Sequence, residues 1–229
     1  VYSGHGRLPR NWSSVDPDDV GLSEASFKDD WSGFKAGLYR NRKSATYALA
    51  FAGTDTGTFE ELAADTATNL QQAGGFETMQ YQSAIALTVR IVLKVGSGNL
   101  ELTGHSLGGG LASAAAIVNR VHATTFNAAG LHPDTVGRFS VNLRTAQSLV
   151  DAYYVDGEAV SILQNSLVIP VISPNMNFEG WSGQSPLQTK RIPLLPATVG
   201  KRIKLPAANG QNRFQRHRIA SVIQSLDGN

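Results

Sequence analysis

Leu100-Glu101-Leu102-Thr103-Gly104-His105-Ser106-Leu107-Gly108-Gly109-Gly110 reads as a short strand, a tight turn and the opening of a helix. Its centre, Gly104 to Gly108, has the form G-x-S-x-G, in which a sharp strand-to-helix turn lifts a serine hydroxyl out of a sheet. Gly104 and Gly108 lack the Cβ atoms that would collide where strand and helix cross. Leu107 opens the helix, so its backbone N–H has no partner in the helical ladder and is available to an anion. The flanks agree with this reading. Gly96-Ser97-Gly98-Asn99 breaks the chain ahead of the strand, and Leu111 to Val118 continues it as a small-residue helix able to lie close on a sheet. The competing reading is an ordinary glycine-rich turn whose serine does nothing.

Working outward, Ala45 to Ala52 is a continuous apolar run of the kind that forms a strand buried on both faces. It ends at Gly53-Thr54-Asp55, where a backbone N–H and the Thr54 hydroxyl can face the same anion as Leu107, or where the strand simply turns. Tyr81, Ile85, Val89, Val92 and Val95 recur at helical spacing, so Gln80 to Val95 is expected to be a helix on the sheet, set off by a break at Gly74-Gly75. Ala123 to Asn127 and Ala152 to Val155 are further strands, the second ending at Asp156-Gly157-Glu158. Alternating strands and helices with short turns imply an α/β fold with a mostly parallel, doubly wound sheet flanked by helices. Residues 1–40 are weakly periodic and are expected to be peripheral, with a turn or helix start at Asp16-Pro17-Asp18-Asp19. Residues 165–210 hold six prolines and are expected to form a loop-rich, lid-like insertion in a single domain spanning 1–229. Within that insertion Met176, Phe178 and Trp181 supply apolar surface that the chain can bury or lay on a lipid, with Phe178 and Trp181 as the candidate substrate contacts. Asn212 to Leu226 carries Phe214, Ile219, Val222, Ile223 and Leu226 at helical spacing.

The chain of 229 residues, 41% hydrophobic and 17% charged, has the composition of a globular protein with a sizeable core, not of a disordered one. It has no cysteine, which excludes a disulfide framework and a thiolate metal site. No apolar run approaches a membrane span of about 20 residues, and no signal peptide is evident. Formal net charge is only +2, but it is unevenly spread. From Val160 onward, Lys190, Arg191, Lys201, Arg202, Lys204, Arg213, Arg216 and Arg218 face only Glu179 and Asp227. Such a basic third suits an anionic surface such as phospholipid headgroups, or is a solvated face without a partner.

Three short blocks carry a resemblance. Phe51-Ala52-Gly53-Thr54, Gly104-His105-Ser106-Leu107-Gly108-Gly109 and Phe126-Asn127-Ala128-Ala129-Gly130 resemble the class-three lipases of the α/β-hydrolase fold. The likeness is greatest to the lipase-like, often phospholipase, domains of bacterial toxins and type VI secretion effectors. The resemblance implies a Ser–acid–His triad in that chain order, with Ser106 as nucleophile and Thr54 and Leu107 as oxyanion donors. Ala52 stands where the family usually carries Arg. His217, in Arg216-His217-Arg218, falls on the family's histidine. It also suits the order better than His5, His105, His122 or His132, of which His105 is expected to pack beneath the turn. The resemblance further implies a lipid ester substrate, transient membrane contact, an inhibitory immunity protein if the chain is a toxin, and delivery outside the producing cell. It implies no metal, cofactor or nucleic acid.

The triad acid is the open choice. After Ser106 the acids are Asp134, Asp151, Asp156, Glu158, Glu179 and Asp227, and only Asp156 and Glu158 sit at the end of a strand ahead of His217. Their two-residue spacing points both to one side of an extended chain. Asp is the commoner acid, whereas Glu158-Ala159-Val160 matches the family's register; Glu158 is favoured and Asp156 is the alternative. The activity expected is hydrolysis of carboxylic esters of lipids, most of all phospholipids. Hydrolysis of soluble esters on the same fold, or a catalytically silent lipase-like interaction module, are the competing readings.

Overall fold

The computed structural model describes residues 8–53, 69–143, 148–165, 168–171, 188–191 and 196–227. Strands are β1 (Trp12–Ser14), β2 (Lys28–Asp29), β3 (Phe34–Asn41), β4 (Tyr47–Phe51), β5 (Leu100–His105), β6 (His122–Phe126), β7 (Val150–Val155), β8 (Val168–Val171), β9 (Gln188–Arg191) and β10 (Lys201–Leu205). Helices are α1 (Asn69–Val95), α2 (Leu107–Asn119), α3 (Pro133–Gly137), α4 (Ala159–Asn165), α5 (Arg213–His217) and α6 (Ile219–Asp227). The main sheet runs β1-β3-β4-β5-β6-β7-β10, with β2 also on β3. From β4 to β10 every neighbouring pair is parallel, while β1, β2 and β4 pair antiparallel with β3. All five parallel strands therefore end on one edge, where loops that carry polar groups collect.

Alternation along the strands divides the core. Leu49, Phe51, Leu100, Leu102, Ala123, Val150 and Ala152 face α1 and α2, meeting Ala84, Ile85, Leu87, Ile91, Leu111, Ala114 and Ala115 in one cluster. The intervening positions Phe126, Tyr153, Val155 and Leu205 turn to the opposite face, where Val222 and Ile219 of α6 cover them. The period of two in the strands thus places helices on both sides of the sheet.

Several elements differ from the sequence expectation. The segment before residue 40 supplies Val20, Phe27, Phe34 and Leu38 to the core, because β3 is an internal strand paired on both edges. The 3-10 turn Pro17–Val20 starts there, with the Asp16 side chain accepting from the Asp18 N–H. Helix α1 runs through Gly74-Gly75 instead of breaking there. Two glycines cost about 2 kcal/mol in a helix, and the buried turns from Tyr81 to Ile91 hold this one in register. The buried stripe of α1 is Tyr81, Ala84, Ile85, Leu87, Thr88 and Ile91, which leaves Val89 on the exposed side. The proline-rich region is not wholly loop. It contains the antiparallel pair β8–β9, and it contributes β10 as the last parallel strand of the main sheet. The C-terminal helical pattern is two helices, parted at Arg218 by an extended backbone (φ −64°, ψ 145°), and it leaves Ile223 and Leu226 exposed. No helix among the described residues is long and apolar enough to cross a membrane.

Candidate active site

The turn after β5 is built as its glycines require. A Cβ on Gly104 would run into the backbone of Gly108, and one on Gly108 would strike the carbonyl of Phe51 and the Ala52 backbone. Strand β5, helix α2 and the end of β4 therefore touch backbone to backbone. Ser106 sits at the vertex with φ 56° and ψ −125°, a left-handed conformation that a side-chain-bearing residue adopts only under constraint. Its N–H donates to the Phe126 carbonyl at 3.1 Å, and its own carbonyl accepts from Gly109, Gly110 and Ala129. The peptide on either side is thus fixed, and the hydroxyl is left for the strand-end side. Leu107 is the first residue of α2, so its N–H lies at the helix N-terminus without an intrahelical partner.

The chain brings His217 to that hydroxyl: Nε2 lies 3.0 Å from Ser106 Oγ. On the other side of the ring, Nδ1 lies 2.6 Å from Glu158 Oε2. All three residues are buried, with Glu158 only 1% exposed. An ionised carboxylate can only accept, so Nδ1 carries the hydrogen; in the neutral ring Nε2 then presents its lone pair to the serine O–H. Burial alone would raise the Glu158 pKa. The hydrogen bond and charge of His217, joined by Ser161, outweigh it and hold the carboxyl below its ordinary range.

Glu158 owes its aim to the helix it starts. Oε2 accepts from the Val160 N–H at 2.8 Å and Oε1 from the Ser161 N–H at 2.5 Å, so the carboxylate caps α4 while facing His217. Asp156 is turned elsewhere. Gly157 has φ +70°, which breaks the extended chain on which the two acids would share a side. Asp156 instead pairs with Lys204 at 2.9 Å on an exposed surface. Of the residues singled out in the sequence, Ser106, Glu158, His217 and Leu107 converge and Asp156 does not. Thr54, Phe178 and Trp181 lie outside the described residues.

Two polar side chains at this site were not singled out for it. His105, expected to pack beneath the turn, places Nε2 2.5 Å from the backbone carbonyl of His217, so that nitrogen carries its hydrogen and donates. Burial, and after it the charge of His217, pushes the His105 pKa down to about 4, leaving a neutral ring. Asn127, in the left-handed region at φ 42°, donates from Nδ2 to the carbonyls of Arg216 and His217. The Phe126-Asn127-Ala128 block carried this signal only as part of a resemblance. Among the described residues no group of three or more His, Cys, Asp or Glu side chains is arranged to hold a metal ion.

A family model described as phospholipase-like, Tle-like phospholipase domain, matches residues 1–210. The chain belongs to this family. In this Tle-like domain Ser106 and Glu158 fall inside the matched stretch and His217 falls beyond it. The extracellular phospholipase A1 of Serratia liquefaciens is 39% identical over 155 residues, which cover 66% of this chain and 46% of that protein. The Tle-like domain thus aligns with less than half the length of that relative. Among solved structures, a triacylglycerol lipase from Penicillium expansum aligns over 90% of this chain and 84% of its own, at 14% identity and a TM-score of 0.44. Lipase II from Rhizopus niveus aligns over 60% and 58%, at 17% identity and a TM-score of 0.43. The parallel sheet, the strand–serine–helix turn and the helices on both faces make the Tle-like domain an α/β-hydrolase fold.

Proposed function

We propose that the protein is a serine hydrolase that cleaves carboxylic ester bonds of phospholipids, a phospholipase A. The observation that carries this reading is the buried relay from Glu158 through His217 to Ser106, at 2.6 and 3.0 Å, with the serine on a strained turn. An unassisted serine is a poor nucleophile near neutral pH, and a base aligned on its hydroxyl removes that barrier. Ser106 attacks the ester carbonyl as His217 takes its proton, and Glu158 steadies the imidazolium so formed. The Leu107 N–H supports the oxyanion, with Thr54 proposed as the second donor. Each such donor contributes on the order of 3 kcal/mol to the transition state. His217 then returns the proton to the leaving alcohol, and water, activated by the same histidine, hydrolyses the acyl-enzyme.

The phospholipid assignment is supported by the family description and by the phospholipase A1 relative. Charge supports a transient contact with anionic membranes, on which the exposed Lys201 and Arg213 would act. Phe178 and Trp181 remain the proposed lipid contacts. Secretion is the setting this reading implies, with an inhibitory immunity protein in the producing cell if the protein acts as a toxin.

The test is mass spectrometry of the products from mixed phospholipid vesicles, with Ser106→Ala as control. The expected products are a lysophospholipid and a free fatty acid, absent with the variant. Release of headgroups without fatty acid, or turnover of soluble esters with no attack on vesicles, contradicts the assignment.

A further inference from the structure

His217 ends a helix of five residues, and the next residue is extended, so the carbonyls of Arg216 and His217 fall in the last turn of α5. Carbonyls at a helix end need partners from elsewhere. Here one side chain serves both: Asn127 Nδ2 lies 3.1 Å from the Arg216 oxygen and 3.0 Å from the His217 oxygen. Its Oδ1 accepts from the Val155 N–H at 2.9 Å, at the end of β7. Glu158 follows directly on that strand end, with its N–H bonded to the Val155 carbonyl at 3.2 Å. One amide, 1% exposed, therefore joins the strand that leads to the acid to the backbone of the base. His105 adds a second donor to the His217 carbonyl from beside the serine. From the far side, the Arg216 guanidinium lies over Gly157 and donates to the Asp156 carbonyl at 3.2 Å.

We propose that Asn127 is a positioning residue, an amide bracket that fixes the His217 imidazole between Glu158 and Ser106. The proposal rests on the triad reading above. The bracket needs both ends of an amide. Aspartate, with the same shape, keeps an acceptor for Val155 but turns a carboxylate oxygen on two carbonyl oxygens, so the histidine backbone is pushed away. The αL backbone explains why the position is Asn: the short polar side chain tolerates it, and glycine does so without strain. A buried asparagine that only held the fold together would affect stability and not the imidazole.

The experiment compares wild type, N127D, N127G and S106A on a soluble short-chain nitrophenyl ester, alongside the NMR resonance of the His217 Nδ1–H and urea unfolding. N127D is expected to fold, to lose kcat by about 100-fold with KM within about twofold, and to lose or shift the imidazole N–H signal. A displacement of about 1 Å at a catalytic base has an effect of this size. N127G, free of the added charge and of backbone strain, should show the same direction, and it carries the test if N127D does not fold. A folded variant with wild-type kcat and an unmoved imidazole resonance overturns the proposal. Full activity in S106A overturns the triad reading instead, whatever the Asn127 variants do.

Discussion

Glu158→Gln separates the roles of the two acids at the end of β7. Glu158 accepts hydrogen bonds from His217 Nδ1, the Val160 N–H and the Ser161 N–H among others, and its oxygens divide the two backbone donors between them. A glutamine has one oxygen for these two backbone N–H groups, so either orientation sets an amide N–H against a backbone N–H. That leaves a buried donor unpaired, at about 1–3 kcal/mol of stability. In one orientation the new amide donates to Nδ1, forcing the hydrogen onto Nε2, where it faces Ser106 and cannot take the serine's proton. In a serine triad this error lowers turnover by roughly 10⁴, or about 5 kcal/mol in the barrier. Asp156→Asn breaks only an exposed ion pair with Lys204, with side chains 55% and 58% exposed, and should leave turnover near wild type. Steady-state hydrolysis of a soluble ester, with urea unfolding to confirm that both variants fold, makes the comparison. A near-normal rate for Glu158→Gln beside a crippled Asp156→Asn would make Asp156, not Glu158, the acid.

Gly108→Ala should lower Tm by about 4–8 °C, because the added methyl meets the Phe51 carbonyl and Ala52 and forces β4 from α2 at about 2 kcal/mol; an unchanged melting curve contradicts the backbone contact. Stability should also fall with pH in a window set by His105. Its folded pKa of about 4 lies below the unfolded 6.5, so the unfolded chain binds the extra proton as pH drops from 6.5 to 4, and stability declines there by on the order of 3 kcal/mol. The depressed Glu158 adds its own loss only as pH falls below 4.5. Urea midpoints across this window for wild type and His105→Gln check the assignment, and parallel curves sink it.

The parts of the fold written as local pattern were legible. Gly104 and Gly108 announced a turn whose crowding the backbone contacts bear out. The apolar run before Gly53 forms the internal strand β4. What was not legible depends on contacts between distant segments. Strand β10 hides among prolines and lysines because, among the described residues, it pairs with β7 alone. The exposure of Val89, Ile223 and Leu226 follows from where the sheet lies, which helical spacing alone does not state. Which of Asp156 and Glu158 faces His217 depends on the φ of Gly157, a torsion no composition reveals. Likewise Asn127 and His105 carry no signal of their own, since their partner, the His217 carbonyl, lies 90 and 112 residues along the chain.

In the proposed mechanism Ser106 is a nucleophile activated by His217. Reaction with a fluorophosphonate, followed by peptide mass spectrometry, tests it most directly. One adduct is expected, on Ser106, formed rapidly in the wild type and slowed by orders of magnitude in His217→Ala. An adduct on another residue, or labelling of His217→Ala at the wild-type rate, contradicts it.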